Sequence, residues 1–210
     1  LDPRVRLGRA AERGHHDRAT IDAVLDAGFT CHLGFVHEGH STVVPTLYGR
    51  DGDVVYVHGS VASRAMRGDA LRVCLTVTHV DALVLARSAF HHSLNYRSVM
   101  VLGVARAVTD PDEKLRALEV VTDQVVPGRW AEVRGPSPKE MAATAVLALP
   151  LDLASAKVRA HGVRDDAEDL DGPWWAGLVP LRTVADAPVP DPDLPADAAV
   201  PAHVRDWTPR

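Results

Sequence analysis

A series of short apolar segments joined by tight turns restricts the fold of this chain more than any other sequence feature. Residues 29–36 and 41–48 are separated only by His37-Glu38-Gly39-His40, and an Asp51-Gly52 pair lies just before the apolar residues 54–58. An Asp-Gly pair between such segments is a strong β-hairpin signal. Parallel strands need a crossover of a dozen or more residues, so connections this short predict antiparallel pairing.

Further strands and a few helices are expected along the rest of the chain. The strands are predicted over residues 71–77, 82–87, 96–108, 144–149, 155–160 and 175–181. The helices are predicted over residues 17–27 and 61–67, and after Asp110-Pro111 and Ser137-Pro138, where a capping side chain precedes a proline. Mostly sequential strands with short turns favour a mainly β fold, an antiparallel barrel with peripheral helices.

The composition of the 210 residues argues against several classes of protein. The net charge of −5 disfavours a general nucleic-acid binder, and no apolar run approaches the roughly 20 residues of a membrane span. The first 17 residues are charged and lack the apolar segment of a signal peptide. Cys31 and Cys74 are interpreted as reduced thiols, with a disulfide between them as the less favoured alternative. We therefore expect a cytoplasmic protein.

The C-terminal end of the chain differs in composition from the rest. From Ala187 onward it is rich in proline and aspartate. Such a segment has too few apolar residues to build a core of its own. We therefore expect one domain over residues 1–185, followed by an extended tail over residues 186–210 that is long enough to lie across a partner subunit.

One candidate site follows the strand predicted at residues 54–58. Gly59 permits close approach of a ligand to the backbone, and a helix beginning at Ser60 would present free N–H groups to a phosphate. The hydroxyls of Ser60 and Ser63 and the guanidinium of Arg64 would add hydrogen bonds. The alternative is that Ser60 only caps the helix and that Arg64 is solvated.

A second candidate is the polar sequence RSAFHHSLNYRSV at residues 87–99, which lies between two strand-like apolar segments. Burying so many polar groups without partners would cost about 1–3 kcal/mol for each neutral group. The segment is therefore either a solvated loop or a surface against which an anionic, polar ligand binds. Since neighbours in an extended segment point to opposite faces, at most one of His91 and His92 can face a given ligand.

Other patterns give weaker signals. Trp174 and Trp175 are interpreted as anchors at the start of a strand in the core, or else one of the indoles covers a flat ring system. No zinc-type spacing of His and Cys is found, so no metal site is predicted. Neither a Rossmann nor a P-loop glycine pattern is present.

A resemblance to the pyridoxamine 5′-phosphate oxidase-like flavin proteins is carried by four segments: CHLGFV (31–36), VVPTLYGRDGDVVYVHGSVASR (43–64), LVLARSAFHHSLNYRSVMVLGVARAVTD (83–110) and VVPGRWAEVR (125–134). Within that family the chain is similar to the branch that includes the nitroimidazole-resistance reductases. The resemblance runs from about residue 4 to about residue 185. It implies an FMN-binding split β-barrel that forms a homodimer with the cofactor at the interface. His79 departs from the pattern of the branch.

The resemblance also assigns site residues. Ser60, Ser63 and Arg64 would hold the FMN phosphate. The flavin would lie beside His58 and Gly59 and beside the neighbouring strand at Val44, Pro45 and Thr46. Ser93, Asn95, Tyr96 and Arg97 would complete the site, and Trp175 would approach from the other subunit.

The expected function is that of an FMN-dependent oxidoreductase, which passes electrons from NAD(P)H through the flavin to a small electrophilic acceptor. Arg64 and Arg97 would anchor the anionic end of the cofactor. His58 and His92 are the catalytic candidates, because histidine changes charge near pH 6.5. Two alternatives stay open: a haem-binding split barrel with a histidine axial ligand, and a non-catalytic protein that binds a flavin or a vitamin phosphate. A deazaflavin in place of FMN is also left open.

Overall fold

The structure is a computed structural model that describes residues 2–6, 8, 10–66, 70–195 and 197–209. The strands in this part of the chain are β1 (Gly14–His15), β2 (Thr30–His37), β3 (His40–Asp51), β4 (Val54–Ser60), β5 (Ala70–Leu85), β6 (Ser93–Ala107), β7 (Thr144–Pro150), β8 (Ala154–Arg159) and β9 (Gly177–Pro180). The α-helices are α1 (Arg18–Asp26), α2 (Pro111–Val125), α3 (Pro138–Ala143) and α4 (Ala202–Arg205).

Six of the strands close into a ring. The order β6-β7-β4-β3-β2-β5 returns to its start because β5 also pairs with β6, and every pairing is antiparallel. Strands β8 and β1 extend the sheet from β6, and β9 extends it from β5. The fold is therefore mainly β, an antiparallel split barrel with peripheral helices, as the sequence predicted.

The ring is split because β3 changes its partner along its length. Residues 40–47 of β3 pair with β2, whereas Tyr48 to Asp51 pair with β4. The last three residues of β4, His58 to Ser60, consequently pair with β7 on one side and have no β3 partner on the other. This opening leaves the first half of β3 and the end of β4 as the two walls of a groove.

The interior of the ring is apolar. Strand β2 alternates as expected for a strand with one buried face: Cys31, Leu33 and Phe35 point inward and are at most 6% exposed. Full burial of such a side chain stabilises the fold by about 1.5–3 kcal/mol. A second apolar cluster lies outside the ring, where α2 packs on β3 and β4. A Cβ atom at Gly49 would come within 2.7 Å of the α2 backbone, so this close contact requires glycine.

The end of α1 explains why histidine stands at position 79. The last carbonyl groups of a helix have no intrahelical partner. The Tyr48 hydroxyl donates to the Leu25 carbonyl, the Gln124 amide donates to Gly28 at 2.6 Å, and His79 Nε2 lies 2.9 Å from the Val24 carbonyl. His79 therefore caps a helix, a role that its sequence position alone does not reveal.

Most of the predicted helices and strands are confirmed. Helices begin at Pro111 and Pro138, as the capping residue before each proline predicted. Asp110 caps α2 through the Glu113 N–H, and Ser137 with Glu140 forms a reciprocal capping box on α3. The two strands predicted over residues 71–77 and 82–87 are wrong as separate elements, because β5 runs continuously and accommodates Asp81 as a bulge.

The helix predicted over residues 61–67 is also wrong. Strand β4 continues to Ser60, and only a 3₁₀ turn, Arg64–Met66, follows. The pairing of Ser60 with Thr144 keeps this residue in the sheet, so no helix begins there. Arg67 lies outside the described residues.

Two smaller predictions about side chains have opposite outcomes. Cys31 and Cys74 are free thiols, as expected. The interpretation of Trp174 and Trp175 as core anchors is wrong, because their side chains are 59% and 67% exposed. They lie just outside β9, where Trp175 passes over Gly177.

The C-terminal segment returns to the body of its own chain. Residues 181–195 form neither helix nor strand. After α4, the Trp207 indole N–H donates to the Val125 carbonyl at 2.9 Å, and its ring lies 6.1 Å from that of Phe29. The division at residue 185 stays a prediction. No helix in the described residues is long and apolar enough to span a membrane.

Candidate functional site

The first candidate site is the β4 corner, formed by Ser60, Ser63 and Arg64. Most of the nearby backbone N–H groups are already bonded: Val61 donates to Ala143, Ala62 to the Ser60 hydroxyl and Ser63 to the Ser60 carbonyl. A ligand phosphate would therefore be held by side chains more than by the free N–H groups of a helix terminus. The sequence predicted that the N–H groups of a helix terminus would bind the phosphate. The structure leaves the side chains of the same residues as the candidate ligands.

Arg64 is the cation of this corner. Its side chain is exposed and makes no ion pair or hydrogen bond with any described residue. Ala65 behind it is buried, and Met66 packs against Gly59, so the backbone that carries Arg64 is fixed on the end of β4. Within the part of the chain that the structure describes, the β4 corner therefore presents a positive charge without a carboxylate partner.

His58 lies at the mouth of the groove between β3 and β4. Its Nδ1 atom is buried and has no hydrogen-bond partner. Desolvation lowers the pKa of this imidazole below its ordinary value, so His58 is neutral at pH 7. The other wall is made by Val44, Pro45 and Thr46 of β3, of which Pro45 is exposed. A buried nitrogen without a partner beside an open groove is a place where a ligand atom would complete a hydrogen bond.

The second candidate is the polar stretch, residues 87–97. Its Arg87 donates to the Asp165 carboxylate through both a guanidinium N–H (2.8 Å) and its backbone N–H (3.1 Å). His91 Nε2 lies 3.1 Å from Asp166. Although desolvation acts to raise the pKa of Asp165, the hydrogen bonds from Arg87 outweigh it and hold that pKa below its ordinary value. The carboxylates of a distant loop thus pair with Arg87 and His91, while Arg87 Nε and Ser88 Oγ are buried without a partner among the described residues.

Arg97 is also paired within the chain. Its Nε and Nη2 atoms donate to Asp81 at 3.0–3.3 Å, across the β5–β6 hairpin at the bulge. The pair borders a cavity of about 650 Å³, whose other lining residues include His79, Arg182 and Pro209. The structure therefore places Arg97 in a cavity bounded by the C-terminal segment, and within one chain it does not bring Arg97 to the β4 corner.

His92 has a different environment from its neighbour His91. Its Nδ1 atom lies 2.9 Å from the Ser88 carbonyl, which fixes the ring with Nδ1 as the donor. Nε2 then carries the free lone pair on an exposed side chain. The Phe90 ring packs edge-on against His91 and is 86% exposed, and Leu94, two residues after His92, is 41% exposed. An oriented imidazole flanked by exposed apolar side chains is suited to bind a metal centre that carries a large apolar ligand.

The remaining predicted residues lie on β6 and at the start of β9. Ser93 and Tyr96 are half-buried, and Asn95 is 7% exposed. The Asn95 side-chain oxygen accepts a hydrogen bond from Arg159, a residue that the sequence reasoning did not select. The only signal for Arg159 was a second cation, two residues after Lys157, at the end of a strand-like segment. Trp175 is exposed and is not in contact with the β4 corner in any described interaction.

Comparisons with known proteins agree with this fold. A profile of the pyridoxamine 5′-phosphate oxidase family matches residues 17–158. The flavocytochrome Anf3 from Azotobacter vinelandii is 38% identical, with a TM-score of 0.91 over 98% of this chain and 97% of that chain. The FAD and haem binding protein from Mycobacterium smegmatis is 36% identical, with a TM-score of 0.89 over 94% of this chain and 98% of that chain.

A putative 5-nitroimidazole antibiotic resistance protein from Bacteroides thetaiotaomicron shares the fold at 23% identity, with a TM-score of 0.57 over 69% of this chain and 86% of that chain. A comparison with curated protein sequences gave no match. The ring of strands, the groove at its split and the family profile together define the class as a split β-barrel. The chain belongs to the pyridoxamine 5′-phosphate oxidase family, and the resemblance noted from the sequence is confirmed.

Proposed function

We propose that this protein is a flavin-dependent oxidoreductase whose flavin phosphate binds at the β4 corner. The single observation that carries the proposal is Arg64, an exposed arginine held on the end of β4 that pairs with no carboxylate among the described residues. A charge-assisted hydrogen bond from such a guanidinium to phosphate stabilises a complex by about 1.5–3 kcal/mol. Membership of the family and the two flavin-binding neighbours support the same cofactor class.

The residues present fit a flavin. The groove between β3 and β4 is open, because their pairing stops at Tyr48 and Val57 and does not include residues 40–47 of β3 or 58–60 of β4. His58 offers a buried nitrogen that has no hydrogen-bond partner among the described residues. Ser63 and Arg64 would hold the phosphate, and Val44 to Thr46 would form the wall beside the ring. A bound flavin supplies hydride and electron transfer; the protein binds it, orients it and excludes water.

The neutral state of His58 limits what it does in the site. With its pKa lowered by burial, it donates or accepts a hydrogen bond as a neutral imidazole and places no positive charge beside the ring. Reduced nicotinamide nucleotide as electron donor and a small electrophilic acceptor belong to the same proposal. The alternative, a non-catalytic flavin-binding protein, is an outcome of the tests below.

Haem is a second cofactor that one observation favours. His92 is fixed by its bond to the Ser88 carbonyl and keeps Nε2 free, which is the arrangement that a haem axial ligand needs. Two structures that cover almost the whole chain are those of a flavocytochrome and of an FAD and haem binding protein. We propose that haem iron binds His92, with Phe90 and Leu94 against the macrocycle.

A homodimer is part of the proposal. The outer face of β2, β3 and β6 carries exposed apolar side chains: Val36 (65%), Val43 (63%), Val104 (47%) and Leu47 (38%). The strand registers place all four on one side of the sheet, opposite the buried residues of the ring. Covering this face with a second copy would bury it and bring a partner's loops to the groove. Light scattering of the purified protein measures the assembly directly.

The experiment that tests the flavin is an absorption spectrum of the protein as purified. We expect flavin bands that are released on heating, and mass spectrometry of the released compound distinguishes FMN, FAD and deazaflavin. Oxidation of NADH or NADPH coupled to an added acceptor then separates an enzyme from a binding protein. A colourless protein that does not bind added FMN or FAD would overturn the proposal.

The haem assignment is tested with two adjacent histidines. Haemin is added to the wild type and to the His92→Ala and His91→Ala variants, and the Soret band is recorded. We expect the band to shift and weaken in His92→Ala and to persist in His91→Ala, since His91 is bonded to Asp166. Loss of the band in His58→Ala alone would move the ligand to the groove and contradict the assignment to His92.

A further inference from the structure

A cluster of cationic side chains lies around Arg159 at the end of β8. In the sheet, β6 and β7 separate β8 from β4. Arg159 is 4% exposed, yet its bonds go only to neutral oxygens: the Asn95 side chain and the carbonyls of His161 (3.2 Å) and Gly162 (3.4 Å). Its Nε atom is buried without a partner. Keeping a charge buried without an opposite charge is unfavourable.

Other cations surround Arg159. Desolvation lowers its pKa, and the positive charges of Arg13 and Arg164 lower it further. Arg13 comes just before β1, which pairs Gly14 with Lys157 of β8. Lys157 is two residues from Arg159 and therefore on the same side of the strand. The side chains of three separate segments thus bring positive charge to one place.

The neighbouring acids do not pair with Arg159 or Arg164. Asp165 bonds to Arg87, and Asp166 lies against His91. Glu12 approaches Arg13 only at 3.6 Å and is 66% exposed. Among the described residues, no carboxylate is paired with Arg159 or Arg164.

Unpartnered nitrogen atoms are concentrated in the same place. Eight buried side-chain atoms in the described residues have no hydrogen-bond partner, and three of them belong to this region: Arg13 Nε, Arg159 Nε and His161 Nε2. Buried polar groups in proteins are nearly always bonded. Two of the three nitrogens belong to arginines, which can only donate. Arg13 Nε reaches the Glu12 carboxylate only at 3.6 Å and Arg159 Nε reaches no acceptor, so the missing group is an acceptor.

We propose that Arg159, Arg13 and Arg164 form a second anion site that binds a phosphate or pyrophosphate group of a nucleotide. Arg164 is exposed and would contact the ligand first. The bond from Arg159 to the Gly162 carbonyl, at 3.4 Å, is the longest of the three bonds of Arg159, and a phosphate oxygen would replace it. Residues 160–166 form no helix or strand, and the Asp165 carboxylate in this segment is bonded to Arg87. The choice of a nucleotide, whether a dinucleotide flavin or a phosphorylated nicotinamide nucleotide, rests on the proposed function.

The test is a calorimetric titration of the purified protein with inorganic pyrophosphate. We expect wild type to bind and Arg164→Met and Arg159→Met to bind about tenfold to a hundredfold more weakly, since each loses charge-assisted bonds. Arg116→Met is the matched control, with the same charge change on the exposed face of α2, and should bind as wild type does. Arg164→Met is informative even if Arg159→Met fails to fold, because its side chain lies at the surface.

Two pairs of ligands distinguish which nucleotide carries the bound phosphate. A weaker affinity of Arg164→Met for FAD but not for FMN assigns the site to the flavin. A weaker affinity for NADPH but not for NADH assigns it to the electron donor. Absence of pyrophosphate binding in wild type, or equal binding in all variants, would overturn the proposal. The flavin spectrum reports separately on the proposed function, because a colourless protein that still binds pyrophosphate would refute only that function.

Discussion

The β4 corner and the polar stretch contain the same kinds of side chain, yet their arginines have different partners. In the polar stretch, Arg87 bonds to Asp165 and Arg97 to Asp81. At the β4 corner, Arg64 bonds to no described residue. All three arginines look equivalent in the sequence. Only the structure shows which positive charges the chain has already neutralised and which one is available to a ligand.

This difference bears on which residues bind a phosphate. An arginine that already shares two hydrogen bonds with a carboxylate must give them up before it can bind an anion, whereas an unpaired arginine gives up only water. The resemblance named both Arg64 and Arg97 as anchors for the cofactor. The contacts favour Arg64 as the phosphate ligand and assign Arg97 to the β5–β6 bulge.

The largest expected effect is on flavin affinity, when substitutions of Arg64 and Arg97 are compared. Arg64→Met should weaken flavin binding by about tenfold to a hundredfold, because a charge-assisted contact with the phosphate is lost. Arg97→Met should change flavin affinity by less than about threefold. Fluorescence titration of the flavin-free protein measures both. Equal losses in the two variants would return Arg97 to the cofactor site and remove the distinction between the two regions.

The next effect is on stability. Arg87→Met leaves the Asp165 carboxylate without its partner and should lower the melting temperature by roughly 2–6 °C at pH 7. Because the pKa of Asp165 is lowered in the folded state, its stabilising contribution exists above the ordinary pKa of 3.8 and is lost as the pH falls through the folded value. The difference between wild type and variant should therefore shrink below about pH 4. A difference that grows on acidification would contradict the pairing.

A smaller effect is expected from His58. Its folded pKa is lowered by desolvation, so below about pH 6.5 the unfolded state binds the proton more readily than the folded state does. Stability of the wild type should fall as the pH drops from about 7 to 5, and His58→Gln should flatten this dependence. Melting curves of the flavin-free protein over that range measure it. Identical pH profiles would show that His58 is as well solvated when folded as when unfolded.

The smallest expected effect on stability is that of Trp175→Ala. Its side chain is 67% exposed, so the free energy of unfolding should change by less than about 0.5 kcal/mol. If the indole covers a flavin across the dimer, as the resemblance implies, flavin affinity should nevertheless fall. Trp174→Ala is the adjacent control, with a similar exposure of 59%. A large loss of stability would mean that Trp175 anchors the fold after all.

Much of the barrel could be predicted because its signals are local. The turns at Glu38-Gly39 and Asp51-Gly52 were predicted from the turn residues themselves, and Glu38, Gly39 and Gly52 adopt positive φ angles. The start of α2 was predicted from Asp110 and Pro111. The β5 bulge was missed because Asp81 interrupts an apolar pattern in the same way as a turn would. Whether such an interruption ends a strand depends on the partner strand, which continues here through β6.

The candidate site was predictable only in part. Ser60, Ser63 and Arg64 stay predicted phosphate ligands, but the helix expected to carry them is absent since β7 keeps Ser60 in the sheet. The Arg159 cluster was missed because Arg13, Arg159 and Arg164 come from segments far apart in the sequence. Their proximity depends on β1 pairing with β8, a two-residue contact that has no sequence signature.

The sequence by itself determined the antiparallel strands, the capped helices and the identity of the polar side chains, because backbone propensity and turn chemistry act over a few residues. The tertiary structure decided which of those polar groups would be left without partners. An ion pair such as Arg87 with Asp165 joins residues 78 positions apart. The charge that remains available for a ligand, at Arg64 and around Arg159, is set by long-range pairing that no local pattern encodes.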